Sequence, residues 1–163
     1  MSSSVYAFRP VVRQDLPRLR IWLRTPDATL WWGDPEEQFA LLQQDVNDPR
    51  MVMRIISYEG RPFAYAQDYE VHVWPQPHFR HLPAGARAID AFIGEPDMIG
   101  KGHGSAFLRL LAEQLRAEGA STVVIDPAAN NLRARRAYEK AGFRNDFFVV
   151  TGEGLAILMI FGG

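Results

Sequence analysis

Apolar residues along this chain change period several times, and each change marks a new element. From Val5 to Val12 the pattern is strand-like. Asp15 then caps a helical stretch in which Leu16, Leu19, Ile21, Trp22 and Leu23 make an apolar stripe. Thr25-Pro26-Asp27 breaks that helix and Trp31-Trp32-Gly33 follows as a loop. Asp34-Pro35-Glu36-Glu37 has the N-cap, N1 proline and acidic first turn of a second helix, running to about Val46. Met51 to Tyr58 and Pro62 to Val73 read as two strands of an antiparallel hairpin around Glu59-Gly60-Arg61-Pro62. Trp74 to Gly85, rich in proline and histidine, reads as a loop. Arg87 to Gly94 is a strand with Ala88, Asp90 and Phe92 on one face and Ile89, Ala91 and Ile93 on the other, which makes Asp90 a lone acid on an apolar face.

Beyond a glycine run at residues 100–104, Phe107, Leu108, Leu111 and Leu115 recur at helical spacing, and Gly119 supplies a left-handed stop. Thr122 to Ile125 is a short strand ending at Asp126-Pro127, and a helix from about Asn131 to Ala141 closes at Gly142. Phe143 to Val150 and Leu155 to Phe161 are two last strands around Thr151-Gly152-Glu153-Gly154. No repeat, low-complexity tract or linker interrupts the series. Its order predicts an α/β (α+β) fold, a mixed sheet with helices on both faces, in a single domain over residues 1–163.

At 163 residues the chain is long enough to bury one core. Its 18 basic and 19 acidic side chains provide no phosphate-seeking surface, so nucleic acid is not expected as a partner, and selectivity by charge has to be local. The absence of cysteine removes disulfides, thiolate metal sites and thiol nucleophiles. Met1 to Ser4 carry no basic segment followed by an apolar one, and no apolar run is long enough for a bilayer. The expectation is a soluble cytoplasmic protein without a membrane partner, as a monomer or as a homodimer paired through the last strands and the apolar tail Ile157 to Phe161.

The candidate chemistry starts at Ile99-Gly100-Lys101-Gly102-His103-Gly104-Ser105. Glycines let a backbone approach a ligand, and the first N–H groups of the following helix make an anion site suited to a pyrophosphate. A P-loop would need glycine where Glu95 stands and a hydroxyl where Gly102 stands. A Rossmann site is nearer, since Gly100-x-Gly102-x-x-Ser105 opens a helix and Asp126 ends the next strand. Against it, Gly94-Glu95-Pro96-Asp97 separates strand from glycines, and too little chain remains for the open parallel sheet.

Asn131-x-x-Ala134-x-x-x-Tyr138-Glu139-Lys140-x-Gly142-Phe143, a strand and a turn beyond that Gly-x-Gly, resembles the GNAT N-acetyltransferases, and the element order matches that family from end to end. Within the family, the chain resembles aminoglycoside 6'-N-acetyltransferases, with siderophore-biosynthesis acyltransferases close behind. The segments carrying this are Trp31-Trp32-Gly33, Tyr65-Ala66-Gln67-x-Tyr69, Ile89-Asp90, Gly100-Lys101-Gly102-x-Gly104 and Asp126-Pro127-x-x-x-Asn131-Leu132-Arg133-Ala134. The resemblance implies a sheet of about seven strands splayed between the fourth and fifth. It also implies acetyl-CoA as co-substrate, no metal, and a small-molecule amine as acceptor. One departure stands at Ile99, where the family pattern has Gln or Arg. The main-chain N–H groups of Lys101 to Ser105 remain to bind phosphate.

Acetyl transfer from a thioester to an amine needs a neutral amine, a polarised carbonyl and an acid for the leaving thiolate. By resemblance Tyr138 is that acid; it lies one turn beyond Ala134 and two beyond Asn131 on one helix face. Asp90 is the candidate base and a substrate contact, and Asp126, at the end of the neighbouring strand, the candidate anchor for the ammonium. Trp31 and Trp32 are candidate walls for a sugar or a cation, with Gln67, Asp68 and Tyr69 as polar contacts. Acids at Asp68, Glu70, Asp90, Glu95, Asp97 and Asp126 would suit a polycationic substrate. The cofactor set is Phe92, Ile93, Ile99, Gly100, Lys101, Gly102, His103, Gly104, Ser105, Asn131, Ala134 and Tyr138. His78 and His81 read as loop histidines, because no third metal ligand stands at suitable spacing. Acyl transfer in siderophore assembly, acetylation of another small amine or a peptide, and a CoA-binding regulator without catalysis are the alternative readings.

Overall fold

The structure, a computed structural model, describes residues 5–162. Met1 to Ser4, read above for a leader, lie outside them. The elements run β1 (Tyr6–Pro10), α1 (Leu16–Leu23), α2 (Pro26–Trp32), α3 (Pro35–Asp45), β2 (Val52–Tyr58), β3 (Arg61–Glu70), β4 (Arg87–Ile93), α4 (His103–Ala117), β5 (Val123–Ile125), α5 (Leu132–Ala141), β6 (Phe143–Thr151) and β7 (Gly154–Phe161). The seven strands form one mixed sheet in the order β1-β2-β3-β4-β5-β7-β6. Among the described residues, no helix is long and apolar enough to cross a membrane. The chain divides into two compact units, one holding residues up to Gln67 with Ala91–Lys101, the other Asp68–Asp90 with everything from Gly102 on.

In the first unit β1 and β2 pair antiparallel from Tyr6↔Tyr58 to Pro10↔Arg54. The link from β2 to β3 is tight, with Glu59 at φ 48° and Gly60 at φ 85°, the two left-handed residues that a close hairpin turn requires. Asp15 does not cap α1. Its carboxylate turns back to accept Val12 N at 2.8 Å and the Arg9 guanidinium at 2.7 and 2.8 Å. The bond to Arg9, helped by that of Val12, holds it below the usual carboxylate range. Leu16, Leu19, Trp22 and Leu23 are buried as the stripe predicts, but Ile21 lies off it and is exposed.

Pro26 opens a helix of its own rather than only ending the one before. Thr25 is its extended N-cap, proline at N1 loses no bond, and Trp31 and Trp32 fall in its last turn, not in a loop. Asp34 caps α3 as expected, accepting Glu37 N at 3.0 Å. Just past β4, Gly94 N donates to Phe63 O at 2.7 Å, and a Cβ on Gly94 would stand 2.1 Å from Cδ2 of Trp22. The Trp22 indole N–H donates to Glu95 at 2.9 Å.

In the second unit Phe107, Leu108, Leu111, Ala112 and Leu115 bury one stripe of α4. All three residues of β5 are buried, as a strand covered on both faces requires. β5 pairs parallel to β4 through Arg87↔Val123 and Ala88↔Val124 and antiparallel to β7 through Val124↔Ile160 and Ile125↔Met159. β6 and β7 form a hairpin with one irregularity between Asn145 and Phe147. In the tail Ile157 to Phe161 every residue pairs with β6, and Met159 and Ile160 pair with β5 as well. β6, not β7, is the outer strand.

Candidate active site

The glycine run has the local geometry its composition predicts. Gly100 and Gly102 adopt φ 77° and 86°, values that side chains rarely tolerate, and a Cβ on either would meet nothing within 4 Å. Gly102 is the N-cap of α4, whose first helical bond runs from Ala106 N to Gly102 O at 3.2 Å. The N–H groups of His103, Gly104 and Ser105 in the first turn have no acceptor within the helix, and the N-cap residue, a glycine, has no side chain to offer them. Ser105 Oγ donates to Gly102 O at 3.1 Å instead. Open space over a glycine N-cap, with first-turn N–H groups behind it, fits a pyrophosphate.

The ladder between β4 and β5 is registered only at Arg87↔Val123 and Ala88↔Val124 among the described residues. Asp90 lies two positions past its end, and Asp126 directly follows β5. This is the splay expected between the fourth and fifth strands, and it brings both predicted carboxylates into one neighbourhood. Tyr69 sits there too, 5% exposed, its hydroxyl accepting Gln76 Nε2 at 2.8 Å. Burial, then the negative charges of Asp90, Asp126 and Glu153, push that hydroxyl well above the usual tyrosine range. It is therefore a proton-bearing donor throughout the physiological range, and its surroundings carry three acids, one of which, Glu153, the sequence reading missed.

His78 was also missed. It reads as a loop histidine because its partner is far along the chain, yet its Nε2 lies 2.8 Å from Asp126 Oδ2. No pattern at metal-ligand spacing would have found this. The available signal was a histidine between Pro77 and Phe79, a turn whose phenylalanine is buried.

Four of the six acids expected to form a negative field are instead held inside the chain. Asp68, expected as a substrate contact, is fully buried and receives Arg87 Nε at 2.8 Å. Burial raises the Glu70 carboxyl, but the N–H groups of Gly85, Val73 and His72 outweigh it and leave it lowered. Glu95 takes Trp22 and Arg61, and Asp97 takes Arg61 at 2.9 and 3.0 Å. Asp90 and Asp126, with Glu153, are the acids whose charge acts on the Tyr69 hydroxyl.

The aromatic candidates cluster in the first unit. Trp32 meets Phe92 edge-on at 5.0 Å and Tyr65 at 6.0 Å, while both Trp31 and Trp32 stay half-buried. Gln67 accepts the Tyr65 hydroxyl at 2.7 Å, so part of its polarity is used internally. Phe92 is buried, and Ile93 and Ile99 are half-buried. In the second unit Asn131 uses its side chain as the N-cap of α5, accepting Ala134 N at 3.2 Å. Its main-chain N–H donates to Ala128 O at 2.9 Å and its carbonyl accepts Arg135 N at 3.0 Å. Tyr138 lies half-buried on the same helix with its ring 6.4 Å from that of Phe143.

Comparison with known proteins agrees with this architecture. The model of the acetyltransferase (GNAT) domain matches residues 11–150. The chain belongs to the GNAT acetyltransferase family. It is 31% identical to aminoglycoside N(6')-acetyltransferase type 1 of Klebsiella pneumoniae across 98% of this chain and 84% of that protein. A solved structure of AAC(6')-Ib in complex with paromomycin and acetyl-CoA superposes with a TM-score of 0.80 at 32% identity, covering 96% of this chain and 92% of that one. An aminoglycoside N(6')-acetyltransferase from Legionella pneumophila, at 21% identity and a TM-score of 0.80, shares the fold.

Proposed function

We propose that this protein transfers an acetyl group from acetyl-CoA to a primary amine of an aminoglycoside, the 6'-amine. The observation that carries this reading is the concentration of Asp90, Asp126 and Glu153 around the buried Tyr69 hydroxyl. An acceptor with several ammonium groups matches that field. The acceptors and coenzyme held by the relatives point the same way.

The glycine N-cap and first turn of α4 receive the pyrophosphate. Asp90 accepts the proton of the acceptor ammonium, directly or through one water. The freed nitrogen bonds to the acetyl carbon, the carbon–sulfur bond breaks, the Tyr138 hydroxyl gives its proton to the departing sulfur, and the second proton lost by the nitrogen returns Tyr138 to its neutral form through solvent. Asp126 holds a second contact to the acceptor.

The test is release of free CoA thiol from acetyl-CoA with a panel of kanamycin-like aminoglycosides, diamines, hydroxylysine-type amines and a lysine peptide. Turnover confined to aminoglycosides with a free 6'-amine is expected. Tight acetyl-CoA binding with turnover only on the other amines, or on none, overturns the acceptor assignment.

A further inference from the structure

The segment between β3 and β4 takes no part in the chemistry above, yet it delivers buried polar side chains to the same place. His78 stands on the turn Pro77–Phe79 with its side chain 6% exposed, its ring 4.0 Å from that of buried Phe79. Its Nε2 lies 2.8 Å from Oδ2 of Asp126, a carboxylate that keeps 18% exposure. Two residues earlier, Gln76 reaches the Tyr69 hydroxyl, the group on which the charge of Asp126 acts.

We propose that His78 is a positioning residue that sets which amine of the acceptor is presented for transfer. Its Nε2–H ties down Oδ2 of Asp126 and leaves Oδ1 to take an ammonium along a fixed direction. The inference rests on the reading of Asp126 as the amine anchor. Coulomb attraction alone draws a polycation without choosing among its amines, because it has no directional preference. A carboxylate held in one rotation chooses, since the hydrogen bond to its second oxygen is directional. Asp126 follows a three-residue strand and precedes a proline, so the chain on either side leaves the rotation of the carboxylate about its own axis open. His78 supplies that restraint from 48 residues away.

The test is steady-state kinetics with kanamycin, with the site of acetylation read from the product by NMR. Variants are His78→Phe, His78→Ser and His78→Gln, the first and Asp126→Asn also being combined. His78→Phe keeps a ring against Phe79 without the donor, and the acceptor KM is expected to rise about tenfold, the loss of a hydrogen bond to a charged group. The KM for acetyl-CoA stays unchanged, kcat changes less than about threefold, and acetylation spreads to other amines. His78→Ser shows the same pattern and decides the matter if the phenylalanine variant does not fold. His78→Gln, which keeps an N–H at similar reach, restores both KM and product site. In the Asp126→Asn background His78→Phe adds nothing. A folded His78→Phe or His78→Ser with unchanged acceptor KM and a single product overturns the inference, as does an equal effect of His78→Phe in the Asp126→Asn background. Failure of the unaltered enzyme to acetylate any aminoglycoside overturns the anchor reading first, and the inference with it.

Discussion

At the start of α4 the chemistry is offered by main-chain N–H groups, whereas at the ends of β4 and β5 it is offered by side chains gathered from positions 69, 76, 78, 90, 126 and 153. The first kind of site depends on backbone conformation within a few residues. A site of that kind calls for no particular side chain at Ile99. The second depends on contacts that span the sequence and fails when one partner is lost. Side-chain changes near the glycines should matter little unless they add a Cβ to a left-handed residue. Near the strand ends, even shape-conserving changes should be felt.

The largest expected effect sits on the side-chain site. Asp90→Asn keeps shape and loses the base, so kcat/KM for the acceptor should fall by ~10²–10⁴ while acetyl-CoA affinity is retained. Unchanged kcat/KM across the pH range would remove Asp90 from the proton transfer. Arg87→Leu comes next, because it leaves fully buried Asp68 without its guanidinium. A loss of about 3 kcal/mol in urea unfolding is expected, at the low end for a buried pair since Arg87 is itself a quarter exposed. A double Arg87→Leu, Asp68→Leu variant should recover much of it. Gly102→Val puts a branched side chain at φ 86°, where L-residues are disfavoured by ~1–2 kcal/mol. Acetyl-CoA should bind about tenfold more weakly with the acceptor KM unmoved, and the reverse pattern would exchange the two assignments.

The smallest effect is alkaline. The Tyr69 hydroxyl is raised above its ordinary value, so its contribution to stability is complete below pH ~10 and is lost as pH rises further, because the unfolded chain ionises first. Tyr6, raised by burial and by Tyr58, adds a loss of the same sign. Tyr69→Phe should therefore flatten, without abolishing, the decline of unfolding free energy above pH ~10, by at most ~1.4 kcal/mol per pH unit. An unaltered decline would mean that Tyr69 is not held neutral by its surroundings.

Much of the fold was legible because hydrophobic period is local. α4, β5 and α5 lie close to where the pattern of leucines, the run Val123-Val124-Ile125 and the Asn131 and Gly142 caps put them. The misses have definite causes. Pro26 is both a terminator and an N1 residue, and only packing around Ala28 and the tryptophans decides that a new helix follows. Ile21 was placed on the stripe although it stands two residues after Leu19, on the far side of a helix turn. In the site, the glycines and the strand-end acids Asp90 and Asp126 could be read directly. Asp68 could not, since its neutralising partner lies 19 residues on. The available warning was Arg87 itself, a cation opening an apolar strand and needing an anion nearby. His78 gave less warning still, because a histidine in a proline-rich loop is ordinary on its own.

Gly94 carries a consequence for descent. With the indole of Trp22 occupying the place where a methyl group would go, the two positions cannot drift separately. An alanine codon at 94 becomes viable only after the aromatic side chain at 22 has shrunk. That earlier step discards the indole N–H on Glu95, just ahead of the glycine run. Lineages of this fold should accordingly keep glycine and tryptophan together or lose them together, and a sequence holding one without the other would have had to rebuild the junction between its first helix and the segment after β4.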